Sequence, residues 1–553
     1  MRGNIDRGNI SVHTKKQCLR FAACCRKGTV LMKKKTPVRL CALLAVVLAL
    51  SLFTPLLLTA RAGASPQKES PLEAGPRLNS AQGPRANNVP DPAGGVYVSP
   101  SGNDSTANGS IGAPYKSINA ALSAANPGDT VVLRGGTYRE GVNVRIRKPD
   151  ITIKSRQGEW AVIDLSTYNS GHDEDSGVYF DVDSHGGKLQ GVEVIGGFYA
   201  VCTETRWDWG DPANRAGASN LVIEDCVLHD SRYDVVKVKP NCNNVTIRYN
   251  EIYNSGRAFD GRPHNGEDNA EGIDNVNGDN MTVQSNYIHD IISNAVYAKG
   301  GATDVLIENN LIETAYGAGI MVGFDASPEY FDTKTNPQYY ENIRGVVRNN
   351  LIIGTGWEGI GFYGSKDAQV YNNTLVNVCN GGQYHSAIYF GLTFQDWESY
   401  AGRPASVNPN IHHNIVCQPS GFVRPMIEIR YANELGGMSA LEGTPVMSNN
   451  CYYIAGKSAV FSDRRPGSEL EGAGLKAWQA HIGGDAGSIE ADPQLGKDYL
   501  PANPLCAGMG IMSDPEAPSS EIEVSDEIIA RYLYRLALAF MYLLISRVIA
   551  LTH

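Results

Sequence analysis

The 553-residue sequence holds no Cys-x-x-Cys pair, little charge and no excess of positive charge. Charged residues make up 19% of the chain and the formal net charge is −10. A polyphosphate backbone therefore finds no basic surface, and nucleic acid is not expected as a partner. A polyanionic ligand would need a local basic patch instead. Of eleven cysteines, Cys18, Cys24, Cys25 and Cys41 precede residue 64 and seven follow it. The odd number and the spacing support neither a disulfide framework nor a zinc site.

What the chain does contain is a repeat. One phrase recurs as NLVIEDCVL (220–228), NVTIRYNEI (244–252), NMTVQSNYI (280–288) and DVLIENNLI (304–312). Its pivots are Cys226, Asn250, Asn286 and Asn310, and it continues at Asn350, Asn373, Asn414 and Asn450. Successive pivots are 24, 36, 24, 40, 23, 41 and 36 residues apart, so the short gaps define a unit of 23–24 residues and the long ones are that unit plus an insertion. Such a period marks a solenoid. Apolar alternation with period two makes its units strands. An Asn at one point of each unit can hydrogen-bond its copies above and below, as stacked strands allow. The expected fold is all-β: a right-handed parallel β-helix of three-stranded coils. Cys226 in the Asn column reads as a small buried apolar group. The 59 glycines suit tight corners.

Four segments follow from composition. Residues 1–64 read as an N-terminal extension and a secretory signal peptide: a start at Met32, a basic run, apolar Leu40–Ala60, and cleavage after Ala64. Retention of that apolar run as a membrane anchor is the alternative. Residues 65–94, rich in Pro, Ser, Gly and Ala, read as a flexible linker. Residues 95–512 form the β-helix. Residues 513–553 join an acidic linker to a separate hydrophobic helix over Glu527–Leu551. Its apolar stretch Leu536–Ser546 is bounded by Arg535 and Arg547 and rises only about 16 Å. Packing, interfacial contact with a membrane and anchoring all remain open for it. The protein is expected outside the cell or at its surface, as a monomer.

Tyr115–Ala125 carries Ile118, Ala121 and Leu122 on one face and reads as a short helix capping the open end of the solenoid. The stretch that contains it, VYVSPSGNDSTANGSIGAPYKSINAALSAANPGDTVVLRGGTYRE (96–140), resembles the N-terminal region of secreted β-helix proteins of the pectate-lyase-like superfamily, family 9 polysaccharide lyases among them. ADPQLGKDYLPANPLCAGMG (491–510) is similar to their closing segment. The resemblance implies a polysaccharide ligand lying along the outside of the first sheet, walled by inserted loops.

The strands of that sheet follow each pivot by about ten residues. With Val236, Ile273, Val296, Ile320, Ile360 and Ile388 facing inward, alternation turns Lys237, Asp274, Tyr297, Met321, Gly361 and Tyr389 outward. Two places on, Lys239, Val276 and Lys299 form a second outward row, while Glu271 sits at the strand start near Asp234. Each residue alone reads equally well as part of an ordinary ion pair on a solvated sheet. Their concentration on three successive coils, beside the 256–270 insertion, makes them a candidate site. Trp207, Trp209 and Trp397 lie in loops leaving the same sheet and suit sugar rings as substrate-binding residues.

β-Elimination from a uronic-acid polymer requires a base for the C5 proton, neutralisation of the carboxylate and a proton for the leaving oxygen. Lys299 or Lys237 suits the base, with Lys237 the better carboxylate anchor, Lys239 a further binding residue and Tyr297 the proton donor. Glu271, Asp274 and Asp268 are the candidate calcium ligands. The resemblance expects an NADGF-like phrase, followed one coil later by an SDDGWD-like calcium cluster. NAEGI (269–273) matches the first, whereas ISNAVYA (292–298), one coil on, has no acid. The phrases of polygalacturonases and of alginate epimerases are absent. Two functions stay open: a uronate lyase, and a non-catalytic polysaccharide-binding or adhesin-like β-helix.

Overall fold

The computed structural model describes residues 70–71, 74–75 and 85–512, apart from 168–174, 208–214, 258–268, 382–384 and 394–402. Each coil makes three short strands, as in Val236–Val238, Thr246–Arg248 and Glu251–Tyr253. Corresponding strands of successive coils pair in parallel and generate three 12-stranded sheets, a right-handed parallel β-helix. The first sheet runs from Val144–Ile146 to Leu470–Ala473, whose final pairing is antiparallel. The inward side chains stack into one continuous apolar core.

The corner between the second and third sheets explains the repeated phrase. The residue before each pivot is left-handed, with φ of +55° at Tyr249, +53° at Ser285 and +57° at Asn309. A non-glycine residue there costs about 1–2 kcal/mol. The side chain that follows offsets it. Asn250 Nδ2 donates to Asn286 Oδ1 at 3.0 Å, Asn286 to Asn310 at 3.0 Å, and Asn310 to Asn350 at 2.9 Å. The contacts continue through Asn373 and Asn414 to Asn450, which donates to Asp485 Oδ1 at 3.2 Å. Each oxygen also accepts a backbone N–H from the coil before, as Asn286 Oδ1 does from Asn250 N at 3.0 Å. Cys226 is fully buried, and its backbone N–H donates to Asn250.

Helix α1 spans Ile118–Ala124, with Ser117 as its N-cap and Ile118, Ala121 and Leu122 buried. It starts later than the apolar pattern suggested, because Tyr115 bridges to Val98 as extended chain. The other end of the solenoid carries a helix the sequence pattern did not reveal, α2 (Leu475–Ile482), with Leu475, Trp478 and Ile482 buried. Its Trp478 stacks on Phe461 at 5.5 Å. The closing segment lies against the third sheet, where Cys506 Sγ is 3.5 Å from Cys451 Sγ beside Ile415 and Met509. Among the described residues, none of the seven cysteines is in a disulfide.

Part of the stretch read as linker is built into the solenoid. Asn87 Nδ2 donates to Ser155 O at 2.6 Å, Arg85 pairs with Glu251 at 2.6 Å, and buried Lys154 reaches Val89 O at 2.7 Å and Asp91 at 2.9 Å. The signal-peptide and C-terminal-helix expectations lie outside the described residues. Among the described residues, no helix is long and apolar enough to cross a membrane.

Candidate active site on the first sheet

Six adjacent strands of the first sheet carry the site: β1 (Val236–Val238), β2 (Ile273–Val276), β3 (Val296–Lys299), β4 (Ile320–Val322), β5 (Ile360–Tyr363) and β6 (Ile388–Gly391). Their register places Lys237 opposite Asp274 and Asp274 opposite Tyr297, with Val276 opposite Lys299. The outward row continues through Met321, Gly361 and Tyr389.

Asp234, Glu271 and Asp274 converge there, with one carboxylate oxygen from each within 4.8 Å of the others, and all three are buried. Asp234 Oδ1 accepts from Glu271 N at 2.9 Å, which fixes it across the gap between coils. Glu271 Oε1 accepts from Ser293 Oγ at 3.0 Å and Asn294 Nδ2 at 3.1 Å. Asn294 is oriented in turn by Ala318 N, which donates to its Oδ1 at 2.9 Å. Among the described residues, Glu271 Oε2 and Asp274 Oδ1 are buried with no hydrogen-bond partner. Burial first, then the charge of Asp234, raises the Glu271 carboxyl well above its ordinary range, and burial raises that of Asp274 against the pull of Lys237. Three carboxylates this close cannot all ionise without a compensating cation.

The two lysines differ. Lys237 Nζ contacts Asp274 and lies 3.1 Å from Asp234 Oδ2. Burial opposes its charge, but the two acids prevail and hold its pKa well above the ordinary lysine value. It is locked as a counter-ion. The Lys299 ammonium stands over the Tyr297 ring at 4.4 Å and the Phe324 ring at 5.7 Å. Among the described residues no carboxylate pairs with it. Behind it, the fully buried Glu341 accepts from Gly300 N at 2.8 Å and Ala326 N at 3.0 Å, and pairs with Arg403 at 3.2 Å. Burial pushes Glu341 up to about 8, so this brace between the end of β3 and the 324–343 loop is held mainly by hydrogen bonds.

Tyr297 points outward as expected but is fully covered, packed with Ala318, Met321, Tyr363 and Tyr389 under Phe324. The inserted loop, invisible to strand alternation, supplies that cover. Its hydroxyl is buried next to Asp274, and burial followed by the charges of Asp274 and Glu271 holds its proton firmly. Lys239 lies beyond the end of β1 and reaches back to Glu204 at 3.3 Å. Trp207 borders the groove, but Arg215 stands 4.0 Å over its ring and its indole N–H donates to Glu329 O at 2.7 Å, so it ties two loops together. Trp209, Trp397 and Asp268 lie outside the described residues. The whole assembly opens into a cavity of about 970 Å³, lined by Lys237, Glu271, Asp274, Tyr297 and Lys299 on one side and by Phe324, Asp325 and Trp357 on the other.

Sequence reasoning had noted Asp234 only as a neighbour of Glu271. It precedes β1, where alternation gives no direction. The structure also relocates the acid-rich phrase. Acids were sought in ISNAVYA, one coil after NAEGI. NAEGID (269–274) itself carries Glu271 and Asp274 three residues apart, the spacing of the last two acids in SDDGWD, and Asp234 completes the group from the preceding coil.

Residues 96–316 match the family model described as Pel9A-like, right handed beta helix region. Over 122 residues the chain is 33% identical to pectate lyase PEL9 of Emericella nidulans, a match covering 20% of this chain and 30% of that protein. Over 185 residues it is 29% identical to pectate lyase L of Paenibacillus polymyxa, covering 33% and 39% respectively. The matched stretch thus spans about a third of the length of these curated relatives. Among solved structures, pectate lyase Pel9A shares 17% identity, with 60% of this chain and 77% of that chain covered and a TM-score of 0.38. The A-module of the mannuronan C-5 epimerase AlgE6 of Azotobacter vinelandii shares 14%, with 68% and 95% covered and a TM-score of 0.42. The fold is a right-handed parallel β-helix, and over residues 96–316 the chain is similar to the Pel9A-like β-helix region.

Proposed function

We propose that the protein is a secreted carbohydrate-active β-helix that cleaves a uronic-acid polysaccharide by β-elimination. The observation that carries this reading is the buried triad Asp234, Glu271 and Asp274, which has two carboxylate oxygens without a hydrogen-bond partner among the described residues and whose Glu271 and Asp274 line the same cavity as Lys299. Its donor set is all oxygen and its charge is under-compensated, which fits a hard cation such as calcium. Asp234, Glu271 and Asp274 would hold the ion, Asp234 in the part first given to Asp268. Bound calcium would supply positive charge to neutralise a substrate carboxylate.

The chain's own residues do the rest. Lys237 offsets part of the acid charge and stays protonated. Lys299, in its neutral form, removes the C5 proton; the C4–O bond breaks as the C4–C5 double bond forms. The buried Tyr297 forms the floor beneath Lys299, and the leaving oxygen takes its proton from water in the groove. Glu341 and Arg403 brace the wall of the groove next to Lys299.

One observation favours the non-catalytic alternative. Lys237 already bridges two of the three acids, which lowers the triad's need for a metal. Incubation with a panel of polyuronates, with and without calcium, separates the two readings. Calcium-dependent growth of unsaturated-product absorbance supports the lyase. Binding with no product on any polymer replaces it with a binding module.

A further inference from the structure

Two strands past Lys299 the groove is bounded by a side chain that β-elimination does not use. Trp357 stands in the turn before β5, is 38% exposed, and borders the same cavity as Lys299 and Asn294. Its backbone is fixed: its N–H donates to Gly317 O at 3.0 Å, and its carbonyl accepts from Cys379 N at 2.8 Å and Thr355 Oγ1 at 2.7 Å. One indole face lies flat on His385, with ring centroids 4.8 Å apart and planes 7° from parallel. His385 is held in place as well, its Nδ1 2.6 Å from Oε2 of the fully buried Glu358. The other carboxylate oxygen of Glu358 accepts from the Tyr363 hydroxyl at 2.7 Å.

Two buried groups therefore orient an imidazole whose visible task is to back an exposed indole. Among the described residues, no second ring stacks on that indole. An aromatic face left open in a polar groove suits the C–H face of a pyranose ring. Strand spacing places it roughly 10 Å along the solenoid axis from Lys299. Trp357 stands three residues before Ile360, whereas Lys299 stands three residues after Val296, which shares the register of Ile360, so a polymer that reaches both runs obliquely across the sheet.

We propose that Trp357, backed by His385 and Glu358, is a stacking subsite for a further sugar ring of a polyuronate whose reacting ring lies at Lys299. The subsite rests on the function proposed above and adds chain-length selectivity to it. His385 and Glu358 are positioning residues, since they act through the indole.

The test is the affinity of galacturonate oligomers, dimer through hexamer, measured calorimetrically with calcium on the turnover-blocked Lys299→Ala protein. The same ladder is run after adding Trp357→Ala, Trp357→Phe or His385→Ala. Affinity should climb once the oligomer is long enough to reach Trp357. Trp357→Ala should remove that climb, about a tenfold loss on long oligomers, and leave short ones unchanged. Trp357→Phe should keep most of it, and His385→Ala should lose part of it with the same length dependence. An unchanged length profile in Trp357→Ala, or an equal loss at every length, overturns the subsite alone. If wild type leaves the hexamer uncleaved and the Lys299→Ala protein binds no oligomer, the lyase reading falls and the subsite with it.

Discussion

Two sets of buried polar side chains in this molecule differ in one respect, their hydrogen bonding. In the corner between the second and third sheets, Asn250, Asn286 and Asn310 are fully buried, and each amide both donates and accepts along the column. On the outside of the first sheet, Asp234, Glu271 and Asp274 are at most 2% exposed, yet among the described residues Glu271 Oε2 and Asp274 Oδ1 have no hydrogen-bond partner. Burying an unpaired polar group is costly, and more so if it is charged. The asparagines recover that cost inside the fold. The acids do not, and such an arrangement makes sense where something from outside completes it. Burial alone does not separate these two sets; the state of their hydrogen bonds does.

The sharpest way to break this comparison is a pair of substitutions with opposite expected effects. Lys299→Ala should lower turnover at least about a hundredfold while leaving the melting temperature and polymer binding nearly unchanged. A large loss of stability in this variant would move Lys299 to the structural side. Asn286→Leu should do the reverse. It removes contacts to Asn250 and Asn310 at about 1 kcal/mol each and leaves their buried groups unpaired at about 1–3 kcal/mol more. A several-degree fall in melting temperature is expected, with activity retained below the transition. An unaltered denaturation midpoint would remove the column from the account of stability.

A smaller effect comes from the third sheet, whose outer face is polar but paired. His229 stacks on Tyr253 at 4.5 Å and lies 2.6 Å from Asp230 and 3.3 Å from Glu193. Burial opposes its charge, but these partners outweigh it and raise its pKa to about 9. A pKa raised on folding adds stability that is complete below the unfolded value near 6.5 and disappears as pH rises through about 9. Melting temperatures between those limits should therefore fall slightly in wild type and less steeply in His229→Gln. Parallel pH profiles for the two proteins would count against the paired state of that face.

Much of this was legible in the sequence, because a parallel β-helix writes its register into the chain. The Asn pivots fix the coil, and apolar alternation then fixes which neighbours face out. That is why Lys237, Asp274 and Tyr297 could be placed on adjacent strands by counting. Alternation carries no information outside strands. It could not show that Asp234 turns into the acid group, that Phe324 folds over Tyr297, or that Trp357 borders the groove. Nor did it mark α2, a short polar segment between glycines whose helical face is defined only by Leu475, Trp478 and Ile482.

The central claim is that the acid triad is completed from outside the chain, and calcium-dependent thermal denaturation tests it most directly. Wild type should gain melting temperature progressively with calcium, as any ligand bound only by the folded state requires. Glu271→Gln, which puts a neutral amide where burial already favours the uncharged carboxyl, should melt no lower than wild type without calcium and gain little when it is added. A wild-type melting temperature indifferent to calcium, or an equal gain in both proteins, would contradict the account.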